Sequence, residues 1–219
     1  MGCSSSSAGG VAKNEGEVLF EAVAKNDTGA VKEIIANAEG NLAVINWRHK
    51  GDGGMTPFLA GARAGSLEAV KALAASSPTA ATTTDAAGNS ALLHASACGK
   101  VVVMRWLVET HNADVNARNS HGDSPIFAAC RDRQLEAVQY LVSLPQTDTN
   151  LCRNADAGIG GGQSPLTLCV ERDDLPFVSA LLAHASCAID CADGNGDVPV
   201  EMASDALRTI LLDSRTTSI

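Results

Sequence analysis

The chain has 219 residues, of which 3% are aromatic and 19% are charged, and its formal net charge at pH 7 is −9. This acidity disfavours binding to nucleic acid, which needs clustered basic side chains. The seven cysteines are an odd number, and no apolar run approaches the length of a membrane span. We therefore expect reduced thiols, most of them small buried side chains, in place of a disulfide framework.

The chain begins Met1-Gly2-Cys3 and continues with four serines. This pattern predicts N-myristoylation of Gly2, with Cys3 available for palmitoylation. One myristoyl chain binds a membrane only marginally, and Lys13 is the only basic residue among the first 24, so the acyl chain on Cys3 must supply the second signal. Residues 1–14 are thus expected to form a lipidated tail at the cytoplasmic face of a membrane. The alternative is an unmodified, flexible tail on a protein of the cytosol.

Beyond this tail the chain repeats itself. Thr56-Pro57, Ser90-Ala91 and Ser124-Pro125 recur at a spacing of 34 residues, and Ser164-Pro165 follows 40 residues later. A fixed period of about 20 to 50 residues is typical of a stacked array. Each hydroxyl side chain is expected to cap the start of a helix, at which Pro is well tolerated as the first residue.

Each unit is predicted to contain two short helices followed by a turn. Gly65 and Gly99 stand where a left-handed residue would end the first helix, and Arg133 and Asp173, which replace that glycine, should strain the turn modestly. The second helix carries apolar residues at helical spacing. Residues 113–119 then alternate polar and apolar side chains before a glycine turn, which predicts an extended hairpin arm.

Two segments resemble a known family. Residues 55–60, Met-Thr-Pro-Phe-Leu-Ala, resemble the Thr-Pro-Leu-His-x-Ala start of the ankyrin repeat, and residues 112–116 resemble its Gly-Ala-Asp-Val-Asn segment. The resemblance implies an all-α ankyrin-repeat solenoid of helix-turn-helix units with short β-hairpin tips. His94 lies one position after the family's histidine, where Leu93 stands here. We therefore do not expect His94 to bond the turn as the family's histidine does.

The repeats divide the chain into a tail, an array and a second tail. After the tail at 1–14, the array covers residues 15–213, and residues 214–219 form the second tail. Within the array we predict an N-terminal capping unit at 15–50, full units at about 51–85, 86–119, 120–153 and 160–193, and a C-terminal capping unit at 194–213. The second helix of that last unit should run from Asp205 to Leu212. The longer spacing before Ser164 indicates a glycine-rich insertion at residues 154–162 in one hairpin tip.

The resemblance also implies that another protein binds to the surface formed by the hairpin tips and the first helices of the units, which we call the groove. A monomer is expected, which meets a membrane through acyl chains only. Trp47 and Arg48 are interface-type anchors; the alternative is that Trp47 covers the end of the stack. By position in the unit, the groove-facing candidates are Trp47, Arg48, Met55, Arg63, Asn89, His94, His121, Asp123, Arg131, Asp132, Glu171, Arg172 and Asp197. Charge reversal at Arg131 and Arg172 should weaken partner capture with little change in melting temperature.

No catalytic or metal-binding constellation emerges from the sequence. His94 and Cys98 lie four residues apart, and so do Cys187 and Cys191, but neither pair has a third or fourth ligand. Residues 193–197 resemble the start of a calcium loop that lacks its required Gly and Glu. We expect no catalytic residue, metal or cofactor, and a non-catalytic scaffold or adaptor. The alternative is a soluble binding or inhibitory module without a lipid anchor.

Overall fold

The computed structural model describes residues 14–154 and 162–216, and these residues form paired helices joined by turns. Residues 155–161 of the predicted insertion at 154–162 lie outside the described residues, as do the lipidation candidates Gly2 and Cys3. The α-helices are α1 Glu15–Ala24, α2 Thr28–Asn37, α3 Leu42–Ile45, α4 Pro57–Ala64, α5 Leu67–Ser76, α6 Ala91–Ala97, α7 Val101–His111, α8 Pro125–Arg131, α9 Leu135–Val142, α10 Pro165–Glu171, α11 Leu175–Leu182, α12 Pro199–Met202 and α13 Asp205–Thr216, and a 3-10 helix spans Pro78–Thr82.

The first helix of each full unit begins at the predicted hydroxyl cap. The side-chain oxygen of the cap accepts a hydrogen bond from the backbone N–H three residues later, at 3.1–3.3 Å. The four caps are Thr56, Ser90, Ser124 and Ser164. Because this bond satisfies a backbone donor that the helix itself leaves free, the start of each helix is a local property of the sequence.

The turn between the two helices of a unit is left-handed, as predicted. Positive φ angles occur at Asn26, Gly65, Gly99, Arg133 and Asp173, between 55° and 85°. At Arg133 and Asp173 this conformation carries a steric cost that glycine avoids. Both side chains bond the following unit: Arg133 Nη1 lies 2.7 Å from Asp174 Oδ2, and Asp173 Oδ1 accepts from Ser204 Oγ at 2.8 Å.

The apolar core runs through the described array as one cluster, from Leu19 in α1 to Leu211 in α13. The inner helices, which are the first helices of the units (α1, α4, α6, α8 and α10), each contact the next inner helix along the chain. The fully buried side chains include Phe58, Phe127 and Leu141. Stability therefore comes from contacts between neighbouring units, as in other repeat arrays.

The hairpin tips are turns, which corrects the predicted extended arm at residues 113–119. Asp114 Oδ1 accepts a hydrogen bond from the backbone N–H of Asn116 at 2.9 Å, which folds the segment into a local turn. Neighbouring tips are joined by single backbone bonds of 2.8–3.0 Å, such as Ser120 N to Ala87 O. One bond per tip does not make a ladder, so the described residues contain no strand.

The two ends of the array differ from the sequence prediction in detail. α3 forms a short helix just before the first tip, and α13 continues to Thr216, beyond the predicted end at Leu212. Among the described residues, no helix has both the length and the apolar character needed to cross a bilayer.

Candidate functional site

A chain of polar side chains links the bases of successive tips. Asn89 Nδ2 donates to Asp85 Oδ2 at 2.8 Å within one unit. Asn119 Nδ2, in the next unit, donates to Asn89 Oδ1 at 2.7 Å. The backbone N–H of Asp123 then donates to Asn119 Oδ1 at 2.8 Å. These bonds hold neighbouring tips in a fixed relation, which gives the groove a rigid rim.

His94 belongs to this network, so the expectation that it would not bond the turn was wrong. Its Nε2 lies 2.9 Å from Asp85 Oδ2, and its side chain is only 13% exposed. Burial lowers the pKa of His94 more than the hydrogen bond to Asp85 raises it, so the ring is neutral at neutral pH and its Nε2–H donates. Burial acts to raise the pKa of Asp85, but the hydrogen bonds from Asn89 and His94 outweigh it and the net shift is downward.

Asp123 is the centre of an ion network beside this rim. Its side chain is 2% exposed, and its two oxygens pair with Arg153 Nε and, at 2.5 Å, with Arg131 Nη1. Arg131 also pairs with Asp132 at 2.9 Å. The pKa of Arg131 is raised, first by its hydrogen bond to Asp132, against the opposing effect of burial. The guanidinium of Arg153 lies 5.7 Å from the centre of the Phe127 ring, so the network rests on the core.

Three of the predicted partner-binding residues are therefore corrected. Met55 is 3% exposed and belongs to the apolar core, because a hydrophobic residue just before a helix cap packs inward. Asp123 is buried in its ion network, and His94 is turned toward Asp85. All three side chains are largely covered by contacts within the chain.

Trp47 packs against the first helix of the array. Its ring meets that of Phe20 edge-on, with centroids 6.0 Å apart, and it lies over Gly16, where a β-carbon would approach Trp47 Cγ to 2.3 Å. His49 belongs to the same cluster: its ring stacks on that of Phe20, with centroids 4.8 Å apart, and meets that of Trp47 edge-on at 5.6 Å. The half-buried Trp47 thus covers α1, in line with the structural alternative to a binding role.

The other candidates reach the surface. Arg48, Arg63, His121, Asp132, Glu171 and Arg172 are exposed, whereas Asn89 and Asp197 are half-buried. Arg63 pairs with Asp52 at 3.4 Å, and Gln163 donates to Glu171. Arg172 Nη1 donates to the backbone carbonyl of Arg131 at 3.0 Å, which joins α10 to α8. In the described part of the chain, no carboxylate lies within ion-pair distance of Arg172.

Sequence reasoning missed the arginines that tie one tip to the next. Arg118 Nη2 donates to the carbonyl of Cys152 at 2.5 Å and to Asn154 Oδ1 at 3.1 Å. Arg48 makes the equivalent bond to the carbonyl of Thr84 at 2.9 Å. The signal for this role is an arginine a few residues before a tip glycine whose carbonyl it bonds: Arg48 lies six residues before Gly54, and Arg118 lies four before Gly122.

The surroundings of Cys130 and Cys187 raise the pKa of both thiols. Cys130 and Cys169 are each 1% exposed, and the hydrogen bond between them is the main cause that raises the pKa of Cys130. Burial raises the pKa of Cys187 to about 11. A thiol is a nucleophile only as its thiolate, so neither Cys130 nor Cys187 is activated. Within residues 14–154 and 162–216, no group of three His, Cys, Asp or Glu side chains is placed to hold a metal ion.

Comparison with known families gives one match. A family model described as ankyrin repeats (3 copies) matches residues 19–119 and residues 62–153, which together cover more than half of the chain. No curated protein matches the chain significantly.

Proposed function

The chain belongs to the ankyrin repeat family, and from that premise we propose that it is a non-catalytic scaffold that binds another protein through the groove. Arrays of this family are generally protein–protein interaction modules, and no catalytic family is indicated.

The observation that carries the groove proposal is Arg172. It is an exposed guanidinium on a protein of net charge −9, held by one hydrogen bond to the Arg131 carbonyl and by no carboxylate in the described residues. Arginine is enriched among the residues that contribute most to binding, because its planar group forms paired hydrogen bonds with carboxylates. We infer that Arg172 is the groove cation that meets an acidic side chain of the partner. Glu171 and Asp132 are exposed as well, and they would favour basic side chains of the partner beside that acidic residue.

Charge reversal at Arg172 tests this proposal. The variant Arg172→Glu is expected to weaken partner binding by at least about tenfold, or about 1.4 kcal/mol, because a favourable contact becomes a repulsive one. Its melting temperature should stay close to that of the wild type, since the side chain is exposed. The partner is first identified by crosslinking from residues of the groove. Titration calorimetry then measures its binding, and thermal unfolding measures the melting temperature.

The matched control is Lys32→Glu, which makes the same change of charge on an exposed position of α2, an outer helix. Equal weakening by both variants would mean that net charge acts, and the groove assignment would be wrong. Arg131 does not serve for this test, although the sequence suggested it. Reversing its charge would set a carboxylate against the buried Asp123 and lower stability.

We also propose that acyl chains on Gly2 and Cys3 tether the scaffold to a cytoplasmic membrane face. Support comes from the Met-Gly-x-x-x-Ser pattern with its adjacent cysteine alone. In a eukaryotic cell, the wild type should sediment with membranes, whereas Cys3→Ser should shift to the soluble fraction because a single myristoyl chain binds only marginally. Gly2→Ala should be soluble as well, and Ser7→Ala, which lies just beyond the acceptor pattern, is the control. A soluble wild type would leave the alternative of a cytosolic binding or inhibitory module.

A further inference from the structure

Asparagine side chains clamp the later units of the array together. Asn116 Nδ2 donates to the carbonyl of Gln146 at 2.8 Å, and Asn116 Oδ1 accepts from the N–H of Asp148 at 2.8 Å. Asn150 repeats both bonds, with the carbonyl of Ser186 at 2.6 Å and the N–H of Ala188 at 2.9 Å. One carboxamide therefore satisfies a carbonyl and an N–H that lie two residues apart in the next unit.

The clamp is missing between the unit at 51–85 and the unit at 86–119. The residue equivalent to Asn116 is Thr82, 34 positions earlier, and its hydroxyl bonds instead to the carbonyl of Thr79 in its own 3-10 helix. The backbone groups equivalent to those that Asn116 satisfies are the carbonyl of Asn112 and the N–H of Asp114. Within the described residues, neither group has a hydrogen-bond partner.

A cleft of about 340 Å³ opens at this junction. One wall is the 3-10 helix, with Pro78, Ala81 and Thr82, and the other is the segment from His111 to Asp114. The deeper lining includes Leu92 and Leu107, each 1% exposed. The volume is at the small end of the range of about 300 to 1,000 Å³ for ligand sites, so it suits one side chain and its adjoining peptide bonds.

We propose that this cleft is a second binding site, which takes a glutamine or asparagine side chain from a peptide segment of a partner. The incoming carboxamide replaces the missing clamp: its NH₂ donates to the carbonyl of Asn112, and its oxygen accepts from the N–H of Asp114. The aliphatic part of the side chain lies against Ala81 and Leu92. None of the groove candidates lines this cleft, and the proposal does not depend on the function proposed above.

The polar groups of the cleft discriminate between a carboxamide and a carboxylate. A glutamate side chain has no donor for the Asn112 carbonyl, and its charge would lie beside the Asp114 carboxylate, one oxygen of which accepts from Asn116 N at 2.9 Å. A methionine side chain has the size and apolar character for the cleft but leaves both backbone groups without a partner. Sites that hydrogen-bond a ligand reject analogues that lack the matching group, because their own polar groups are then left unsatisfied.

The test uses the full chain, labelled with ¹⁵N, and three blocked peptides, N-acetyl-Ala-X-Ala-N-methylamide with X as Gln, Glu or Met. The Gln peptide is expected to shift the amide resonance of Asp114 downfield in a saturable titration, with smaller shifts at Asn112 and Ala113. The Glu and Met peptides should bind at least about tenfold more weakly, as expected for the loss of a paired polar contact. Equal shifts by the three peptides, or no shift by the Gln peptide, would refute the proposal.

A pair of variants at Thr82 provides the internal control. Thr82→Asn supplies the carboxamide from within the chain, so the Asp114 resonance should already be shifted without peptide and the Gln peptide should no longer bind. Thr82→Val keeps the shape of threonine and supplies no carboxamide. This variant should therefore bind the Gln peptide as the wild type does. If Thr82→Asn binds the Gln peptide unchanged, the two backbone groups are not the site. The three-peptide comparison on the wild type decides the matter if the variant does not fold.

Discussion

Replacement of Asp123 by asparagine is expected to lower the free energy of unfolding by about 3 to 5 kcal/mol, the usual effect of removing one partner from a buried ion pair. Asp123 has a 2% exposed side chain and pairs with two arginines, Arg153, whose side chain is 10% exposed, and Arg131, at 33%. Asparagine keeps the shape but loses the charge, and its NH₂ would face the N–H donors of a guanidinium. The measurement is urea denaturation followed by circular dichroism at pH 7.

Asp132→Asn is the matched control for this prediction. It removes the same charge from the other carboxylate that pairs with Arg131, at 2.9 Å. In contrast to Asp123, the side chain of Asp132 is 37% exposed. Exposed ion pairs contribute about 0 to 1 kcal/mol, so its effect on the free energy of unfolding should be small. If the two variants destabilise the protein equally, burial of Asp123 does not determine the strength of the network.

Replacement of Gly16 by alanine should destabilise the array by about 1 to 3 kcal/mol, the usual cost of overpacking. Within a helix this substitution ordinarily stabilises by about 0.5 to 1 kcal/mol, because glycine loses more conformational freedom on folding. Here the new β-carbon would lie 2.3 Å from Trp47 Cγ and 2.4 Å from Trp47 Cβ. These atoms are at the base of the side chain and cannot swing away, so the whole indole must leave its contact with Phe20.

Thermal unfolding and tryptophan emission measure this effect, in a Trp106→Phe background so that only Trp47 is reported. Displacement of the indole into water should move its emission to longer wavelength. Gly29→Ala is the control in α2, where the nearest atom to an added β-carbon is Asp27 Oδ1 at 3.6 Å, and it should be neutral or stabilising. Stabilisation by both substitutions alike would show that Trp47 does not pack on α1.

The start of the first helix of each full unit and the turn inside the unit could be predicted because they depend on a few adjacent residues. Thr56, Ser90, Ser124 and Ser164 cap the backbone N–H three residues ahead, whatever the rest of the chain does. The left-handed turns at Gly65 and Gly99 are equally local. The family and the stacked architecture follow from the recurrence of these signals at constant spacing.

The character of the groove residues could not be predicted in this way. Position in the unit placed Met55, His94 and Asp123 on the groove, but their burial depends on residues from the core, the turn and the neighbouring unit. Asp123 meets Arg153, 30 positions later, and Arg172 meets the carbonyl of Arg131, 41 positions earlier.

The sequence by itself thus determined the fold class, through the constant spacing of its repeats. It also determined the helix caps and the left-handed turns, since each of these rests on backbone chemistry within about four residues. Only the tertiary structure decided which charged side chains form ion pairs within the chain. It also decided that Trp47 packs on α1 and that the asparagine clamp is absent at Thr82. The physical reason is that the hydrogen bonds and ion pairs between units join side chains roughly one repeat apart, and their geometry is set by how the units stack.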